Sequence, residues 1–356
     1  MKILILSDIQ DHGKKCAEGL ANRGHDILFV YQKGAVDECV FLNSKIRMKE
    51  LPYGGKIGYI LNALSLNKIF KEYKPDVVHV HYAAGYGLLS RLAGVHPSVI
   101  SCYGSDIFEF PNQNKLKFFI LRNILSNADG LQSTSRGMEN EIRKVIGSKN
   151  TEIDIIPFGI NVELFRPKES RSINSRPVVG FMKSLFPIYN VPLLIRAFKV
   201  VLNKTTLNPV LRIYGNGPEK ANLQLLVKEL GLDDSVFFMG RVPNEEVPNA
   251  LNEMDVLVNC SEMESFGVNI LEAMACGLPV IVTDCVGPKE IVEDGKNGII
   301  VSNRTPEALA DAIIRLLSDH DLRRQFSEAG RVRVQNYYNW SYNVIQLENS
   351  LNKVLK

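Results

Sequence analysis

Two carboxylates, Glu264 and Glu272, stand eight residues apart around the run Ser265, Phe266, Gly267, Val268. An ionised carboxylate only accepts hydrogen bonds, so such a pair suits a ligand with hydroxyls at both ends. Between them, the first turn of a helix would leave N–H groups unpaired beside Phe266, Gly267 and Val268. Those groups form a positively polarised notch of phosphate size. Gly267 would let an anion approach closely. The pattern therefore fits a ligand with a diphosphate between two hydroxyl-bearing ends. An ordinary amphipathic helix with both acids in water would show the same spacing.

The elements that must position these groups follow from the local pattern. Ser265 is suited to cap a helix. Val268, Leu271 and Ala275 recur at helical spacing. Gly277 sits where a left-handed cap is wanted and Pro279 follows as a stop. Pro279–Thr283 reads as a buried parallel strand. At ~100° per residue, Glu272 returns to roughly the side of Glu264.

The same alternation runs through the chain. Lys2–Leu6 is a strand, Ser7–Gly13 a loop, Lys14–Arg23 a helix and Asp26–Tyr31 a strand, which is one βαβ unit. Lys56–Tyr73 reads as one long helix, and Pro75–His81, Ser98–Cys102 and Gly130–Ser133 as strands. Phe158–Pro167 and then the polar stretch Lys168–Arg176 read as a linker, after which the βα rhythm restarts at Pro177 and continues to Val301. Thr305 and Pro306 open a helix. Arg323–Val354 reads as helical, with a break near Asn339 and Trp340. Two doubly wound halves, each offering the carboxyl ends of its strands, predict a ligand cleft between domains.

Composition bounds the function. The 356 residues suffice for two domains, and 45% hydrophobic with 23% charged residues is ordinary for a globular protein. A net charge of +3 gives no argument for nucleic acid. The six cysteines, at 16, 39, 102, 260, 276 and 285, form no Cys-x-x-Cys pair and read as buried free thiols of a reducing compartment. The apolar run after Lys2 is four residues long and ends at Asp8, which reads as a first strand rather than a secretion signal. No stretch approaches the ~18 apolar residues of a membrane span.

The acids, their spacing, Gly267 and the exit through Gly277, Pro279 and Val280 together resemble the signature of retaining glycosyltransferases of the GT-B fold, glycosyltransferase family 4. The resemblance extends to Asn22–Asp26, Asp76–His81, Gly104–Ile107, Ile156–Asn161, Phe165–Pro167, Tyr214–Glu219 and Phe238–Val242. It implies an α/β chain of two Rossmann-like doubly wound domains facing across a cleft. An acceptor-binding domain would span residues 1–165 and a nucleotide-sugar-binding domain residues 166–334. A final helix, 335–356, would cross back to the N-terminal domain.

The resemblance also implies roles. Glu272 would accept from ribose hydroxyls and Glu264 from a hydroxyl of the donor sugar. Ser265, Phe266, Gly267 and Val268 would hold the distal phosphate. Arg241 and Val242 would lie against the base. Gly215 would serve the nucleotide too, although Gly215–Pro218 also reads as a plain strand-to-helix turn. On the acceptor side it points to His12, Gly13, Tyr82, Tyr103 and Asp106. Asp106 could equally cap its own turn. His79 and His81 share a strand face, but no acid or cysteine cluster accompanies them, so no metal is expected.

Two departures matter. The family pattern places an Arg and a Lys after the strand equivalent to Val178–Met182, whereas this chain has Ser184 and then Ile188 or Tyr189. Lys183 is the only cation nearby. It is either the replacement that meets the leaving diphosphate, with Arg241 in reserve, or a solvated lysine. Where many relatives carry a His, this chain has Tyr103, a poor base at neutral pH. That fits a mechanism in which the leaving phosphate helps to deprotonate the acceptor.

The segment Lys115–Arg122 joins cations to bulky apolar residues, which suits a helix lying at an anionic bilayer or one packed on a core. The expected protein is thus a cytoplasmic glycosyltransferase, peripheral on the inner membrane face. It would take a nucleotide-diphospho-sugar donor and a glycan or lipid-linked acceptor in surface polysaccharide synthesis, with no cofactor. A GT-B scaffold without transfer activity and a GT-B nucleotide-sugar epimerase are the competing readings.

Overall fold

The computed structural model describes residues 1–8, 11–34, 41, 43–147, 151–168 and 176–355. Residues 169–175 of the expected linker, and Cys39, lie outside the described residues.

Seven strands build the first sheet: β1 Lys2–Leu6, β2 Asp26–Gln32, β3 Ile46–Leu51, β4 Val77–His81, β5 Ser98–Cys102, β6 Gly130–Ser133 and β7 Ile153–Ile155. Their order is β3-β2-β1-β4-β5-β6-β7, and the neighbours pair in parallel. Six strands build the second: β8 Val178–Met182, β9 Val210–Tyr214, β10 Val236–Gly240, β11 Val256–Asn259, β12 Val280–Thr283 and β13 Ile299–Val301. Their order is β10-β9-β8-β11-β12-β13, again parallel. A parallel sheet is covered by helices on both faces, so its strands are apolar throughout rather than alternating. β4, β5, β11 and β12 are buried at every position. Each sheet carries its own core, one around Leu4, Val80 and Ile100 and the other around Phe181, Phe198 and Ile281.

Both sheets reverse their winding once. The reversal lies between β1 and β4 in the first and between β8 and β11 in the second. At such a point the two adjacent crossover connections leave in opposite directions, and a crevice opens at the carboxyl edge.

Several local readings are corrected. The first helix is Asp11–Asn22, so His12 and Gly13 stand in its first turn rather than in a loop. The segment expected as one long helix is two, Gly55–Leu61 and Ala63–Tyr73. Asn62 breaks it: its amide accepts from Tyr53 N at 3.1 Å and donates to Tyr53 O at 2.8 Å. Strand β3 was not expected. The helices Lys115–Ser126 and Pro306–Ser318 stand where the pattern put them, the second capped by Thr305 accepting from Ala308 N.

The compact units divide elsewhere than at 165/166 and 334/335. Met1–Gly159 groups with Ser341–Lys356, and Ile160–Trp340 forms the other unit. Hydrogen bonds explain the shift. Ile160 N donates to Tyr338 O at 2.7 Å and Trp340 N donates to Ile160 O at 2.9 Å, which also marks the break between the last two helices. Phe165 is buried, and its carbonyl accepts from Arg331 at 3.4 Å. The final helix, Trp340–Lys353, meets the first unit through Glu348 with Arg23 and His25, and through Lys353 with Glu152 and Asp154.

One turn controls the end of β8. Lys183 N donates to Tyr214 O at 3.2 Å and Leu185 N to Asn216 O at 3.0 Å, so the loop after β8 lies on the turn after β9. A side chain on Gly215 (φ +124°) would strike the Lys183 carbonyl, and one on Gly217 would strike Leu185. Gly215→Ala is therefore expected to destabilise the protein by about 1–3 kcal/mol, through overpacking and a strained backbone. Urea unfolding measures it; an unchanged midpoint would show that the loop does not need this close approach.

Candidate active site

The second unit gathers most of the candidate residues on one edge. Lys183 follows β8, Gly215 follows β9, Arg241 follows β10, and Glu264 lies on the loop after β11. Because β8 and β11 flank the reversal, Lys183 and Glu264 lie on either side of its crevice. Their side chains form an ion pair and are only 15% and 12% exposed. The Lys183 ammonium also lies 4.1 Å from the centre of the Tyr189 ring, on whose π face a cation is favoured. Burial drives the Lys183 pKa down from 10.5 to about 8. The neighbouring Glu264 carboxylate favours the charged form and works against that fall.

The loop carrying Glu264 is held at many points. Glu262 N donates to Ile188 O at 2.8 Å and Gly287 N to Glu264 O at 3.0 Å. Thr283 Oγ1 donates to Ser261 O at 2.6 Å, and Arg304 reaches Glu262 O at 3.0 Å and Asp284 O at 2.7 Å. Asn259 Oδ1 accepts from Ser261 N and Oγ, while Asn269 Nδ2 donates to Met182 O. Gly287 packs on the Phe266 backbone so closely that a Cβ there would collide.

The helix after this loop is Val268–Ala275, and its N-cap is Gly267, at φ 105°. Ser265 is therefore not the cap, because Gly267 alone tolerates the left-handed turn that starts the helix. Glu264 lies outside the helix, so helical periodicity does not place it beside Glu272. The Phe266 side chain is buried and meets Tyr338 edge-on, ring centres 6.1 Å apart. Glu272 is half-buried on the helix and Val268 half-buried at its start. Arg241 is exposed, and β9 separates its strand from β8, so it does not neighbour Lys183 as expected.

At its own reversal the first unit places three of the residues expected on the acceptor side. His12 and Gly13 follow β1, while Tyr82 follows β4. The His12 ring meets Tyr103 at 4.9 Å and Phe158 at 4.4 Å, both edge-on. Burial lowers the His12 pKa to about 3, so the ring is neutral at pH 7. Tyr82 holds a left-handed backbone (φ 73°), rare outside glycine, and its hydroxyl lies 3.1 Å from Ser105 Oγ. Gly13 is buried against Ser7, where a side chain would not fit.

Asp106 is corrected. It is fully buried, with Oδ2 accepting from Ala83 N at 2.9 Å and Oδ1 from Tyr103 N at 3.1 Å and Gly104 N at 2.8 Å. It fixes the turn that carries Tyr103 and presents no oxygen to an acceptor. Among the described residues, no group of three His, Cys, Asp or Glu side chains could hold a metal ion. The five described cysteines are buried and free.

Comparison with known proteins decides the family. Residues 164–333 match the model "Glycosyl transferases group 1", and residues 2–135 match "Glycosyl transferase 4-like". The chain belongs to the group 1 glycosyltransferases. It is 26% identical, over 97% of its length and 93% of the relative's, to an N-acetyl-alpha-D-glucosaminyl L-malate synthase of Bacillus anthracis. It is 29% identical, over 78% of its length and 76% of the relative's, to a GDP-mannose-dependent alpha-(1-6)-phosphatidylinositol monomannoside mannosyltransferase of Mycolicibacterium smegmatis. Its GT-B fold is shared with a sucrose-phosphate synthase from Thermosynechococcus elongatus (TM-score 0.86, 21% identity, 99% of both chains). HepE of Anabaena, solved with UDP, is similar too (TM-score 0.83, 19% identity, 99% of this chain and 100% of that one).

Sequence reasoning about this glycosyltransferase missed Tyr189 under the Lys183 ammonium, Phe158 against His12, and the close packing of Gly287 on Phe266. Only the last leaves a sequence signal, a glycine just after a strand end. Because Lys183 and Glu264 share one buried pair, removing either leaves an uncompensated charge. In this group 1 glycosyltransferase, Lys183→Met and Glu264→Gln should each destabilise, and the double variant should lose about 0.5–3 kcal/mol less than their sum. Urea unfolding at pH 7 tests this; additive losses would mean that the two charges do not interact.

Proposed function

We propose that the protein moves a sugar, with retention, from a nucleotide-diphospho-sugar to a hydroxyl of a glycan or lipid-linked glycan in surface polysaccharide synthesis. The observation that carries this is the buried Lys183–Glu264 pair, set at a sheet reversal just before a helix N-terminus. HepE has been solved with UDP and with UDP-glucose, and the mycobacterial relative is named for a lipid-linked acceptor, which supports the substrate classes. A buried ammonium aimed at the crevice also speaks against a scaffold without activity.

The chemistry follows from the charges. The diphosphate binds at the N–H groups beginning the Val268–Ala275 helix and draws Lys183 away from Glu264. Glu264, released, accepts from a hydroxyl of the donor sugar, while Glu272 accepts from the ribose. As the bond from the anomeric carbon to the phosphate oxygen breaks, its electron pair goes to the nucleoside diphosphate. The helix terminus alone carries about half an elementary charge, and Lys183 supplies the rest. The acceptor oxygen bonds to the same face of the anomeric carbon, and its proton passes to the departing phosphate. Burial pushes the Tyr103 hydroxyl pKa well up, so Tyr103 binds the acceptor rather than acting as a base. No metal is needed for this sequence.

Lys183→Ala should lower turnover about 10²-fold with a smaller effect on donor affinity, and Lys183→Arg should recover part of it. The wild-type kcat/KM for donor should fall as pH rises through about 8, because the ammonium then loses its proton. In Lys183→Arg that fall should move to higher pH. Rates with UDP-glucose and GDP-mannose, and the anomeric configuration of the product by NMR, test the reading. Wild-type turnover in Lys183→Ala, or an inverted product, would overturn it.

We further propose peripheral contact with an anionic membrane through the helix Lys115–Ser126. Leu116 and Phe119 are 70% and 60% exposed beside Lys115, Lys117 and Arg122. The helix packs on Leu88–Ala93, which packs on Gly55–Leu61 and Ala63–Tyr73. That layer adds exposed Ile57, Leu64 and Leu92, with Lys56 and Lys68 beside them. Among the described residues, no helix is long and apolar enough to cross a membrane. Vesicles containing phosphatidylglycerol should sediment the protein and phosphatidylcholine vesicles should not. Leu116→Ser with Phe119→Ser should abolish the effect, and retained sedimentation would refute this surface.

A further inference from the structure

The first unit holds a chain of polar side chains of which the roles above use only Tyr103. Tyr103 Oη lies 2.9 Å from His81 Nδ1, and His81 Nε2 lies 3.1 Å from His79 Nδ1. His79 Nε2 lies 2.8 Å from Ser101 Oγ and 3.2 Å from Gln132 Oε1. Ser101 Oγ donates to Gln132 Oε1 at 2.5 Å, and Gln132 Nε2 donates to Ser350 Oγ at 2.9 Å. Apart from Tyr103, every member is buried. The chain crosses β4, β5 and β6 and ends on the helix Trp340–Lys353.

The donors and acceptors give this chain a direction. Gln132 Oε1 can only accept, and the Ser101 proton already goes to it. His79 Nε2 therefore carries a proton and donates. A neutral imidazole has one N–H, so His79 Nδ1 is bare and must accept from His81 Nε2. By the same step His81 Nδ1 is bare and accepts from the Tyr103 hydroxyl. The proton of Tyr103 thus points inward, and its oxygen, with Ser101 also beside it, keeps a lone pair that can accept from a ligand.

We propose that His81, held by His79 and Gln132, is a positioning residue that makes Tyr103 a hydrogen-bond acceptor for a hydroxyl of the acceptor substrate. This rests on the acceptor role of Tyr103 given above. The chain orients the hydroxyl and does not relay protons. A relay starting at Tyr103 would leave the proton on His79, whose pKa burial lowers to about 4, and burial holds His81 well below its ordinary value too. His12, the other titratable ring against His81 and Tyr103, is neutral for the same reason. A polar, uncharged chain buried among apolar strands is also rigid, because each member that moved would leave a partner unsatisfied.

Two measurements on the full chain test it. Nitrogen-15 NMR of the imidazoles at pH 7 should show His79 and His81 neutral, each protonated at Nε2 and bare at Nδ1. A proton on His81 Nδ1, or a charged ring, would overturn the proposal, and this readout needs neither a variant nor activity. Second, Tyr103→Phe and His81→Leu should each lower kcat/KM for the acceptor about tenfold, the loss of one hydrogen bond, with KM for the donor unchanged. The double variant should be no worse than Tyr103→Phe alone, and His81→Asn, which restores an acceptor atom, should recover part of the loss. A His81→Leu loss that persists in full on Tyr103→Phe would show a role that does not pass through the tyrosine. A wild-type protein that transfers no sugar would sink the proposed function, while the NMR result would still decide the chain.

Discussion

An ammonium and a carboxylate placed together out of water constrain everything around them. Each alone would cost several kcal/mol to bury, and the pair is tolerable only if both side chains are held in contact. Lys183 and Glu264 lie 81 positions apart in the chain. Only the pairing of β8 with β11 brings them together, and that pairing exists because the sheet reverses its winding there. The rest of the edge serves the same contact. The glycines after β9 let the Lys183 loop settle, and the loop after β11 is tied to the ends of β8 and β12 and to Arg304. The charged site is thus a consequence of parallel topology, and the hydrogen bonds around it fix its dimensions.

The two units meet the same problem differently. Both place their candidate residues at the carboxyl edge beside a reversal, as open parallel sheets do. The second unit uses full charges there, suited to a ligand that is itself charged. The first uses neutral groups, rings whose pKa values burial lowers and a tyrosine kept protonated, while its aspartate is spent entirely on backbone N–H groups. A sugar hydroxyl needs orientation rather than charge neutralisation. Neutral groups provide orientation without the desolvation cost of an ion.

How much was legible in the sequence depended on the range of the interaction. The βα rhythm, the helix Lys115–Ser126 and the Thr305 cap follow from contacts within a few residues, and the pattern exposed them. The fold class was readable because buried parallel strands are continuous apolar runs. The Glu264–Glu272 segment stood out because a loop, a glycine and a helix start are local. What failed was non-local or turned on one side chain. Asn62 splits a helix by reaching back to Tyr53, which periodicity does not show. Ser265 had the right chemistry for a cap, but the loop's ties to Ile188 and Gly287 moved the helix start to Gly267. Asp106 looked like a binding group until the Ala83 backbone, brought over by β4, took one of its oxygens. His79 and His81 read only as a weak metal pair because Gln132 and Ser350 lie far along the chain.

On the proposed reading, in which Lys183 stands in for the family's usual cations, the replacement has a physical logic. A guanidinium holds a carboxylate by two parallel bonds, and that fork is strong and directional. An ammonium is a point charge on a flexible stem, and here it rests between one carboxylate and the face of Tyr189. Such a charge can be handed from Glu264 to a diphosphate by a small rotation, while the ring continues to shield it from water. The carboxylate it leaves must then find new donors, and a sugar hydroxyl is the kind of donor that a nucleotide sugar brings. Binding of the phosphate and recognition of the sugar are in that case one exchange of partners. A nucleoside diphosphate without its sugar would leave Glu264 unpaired and should hold Lys183 less well.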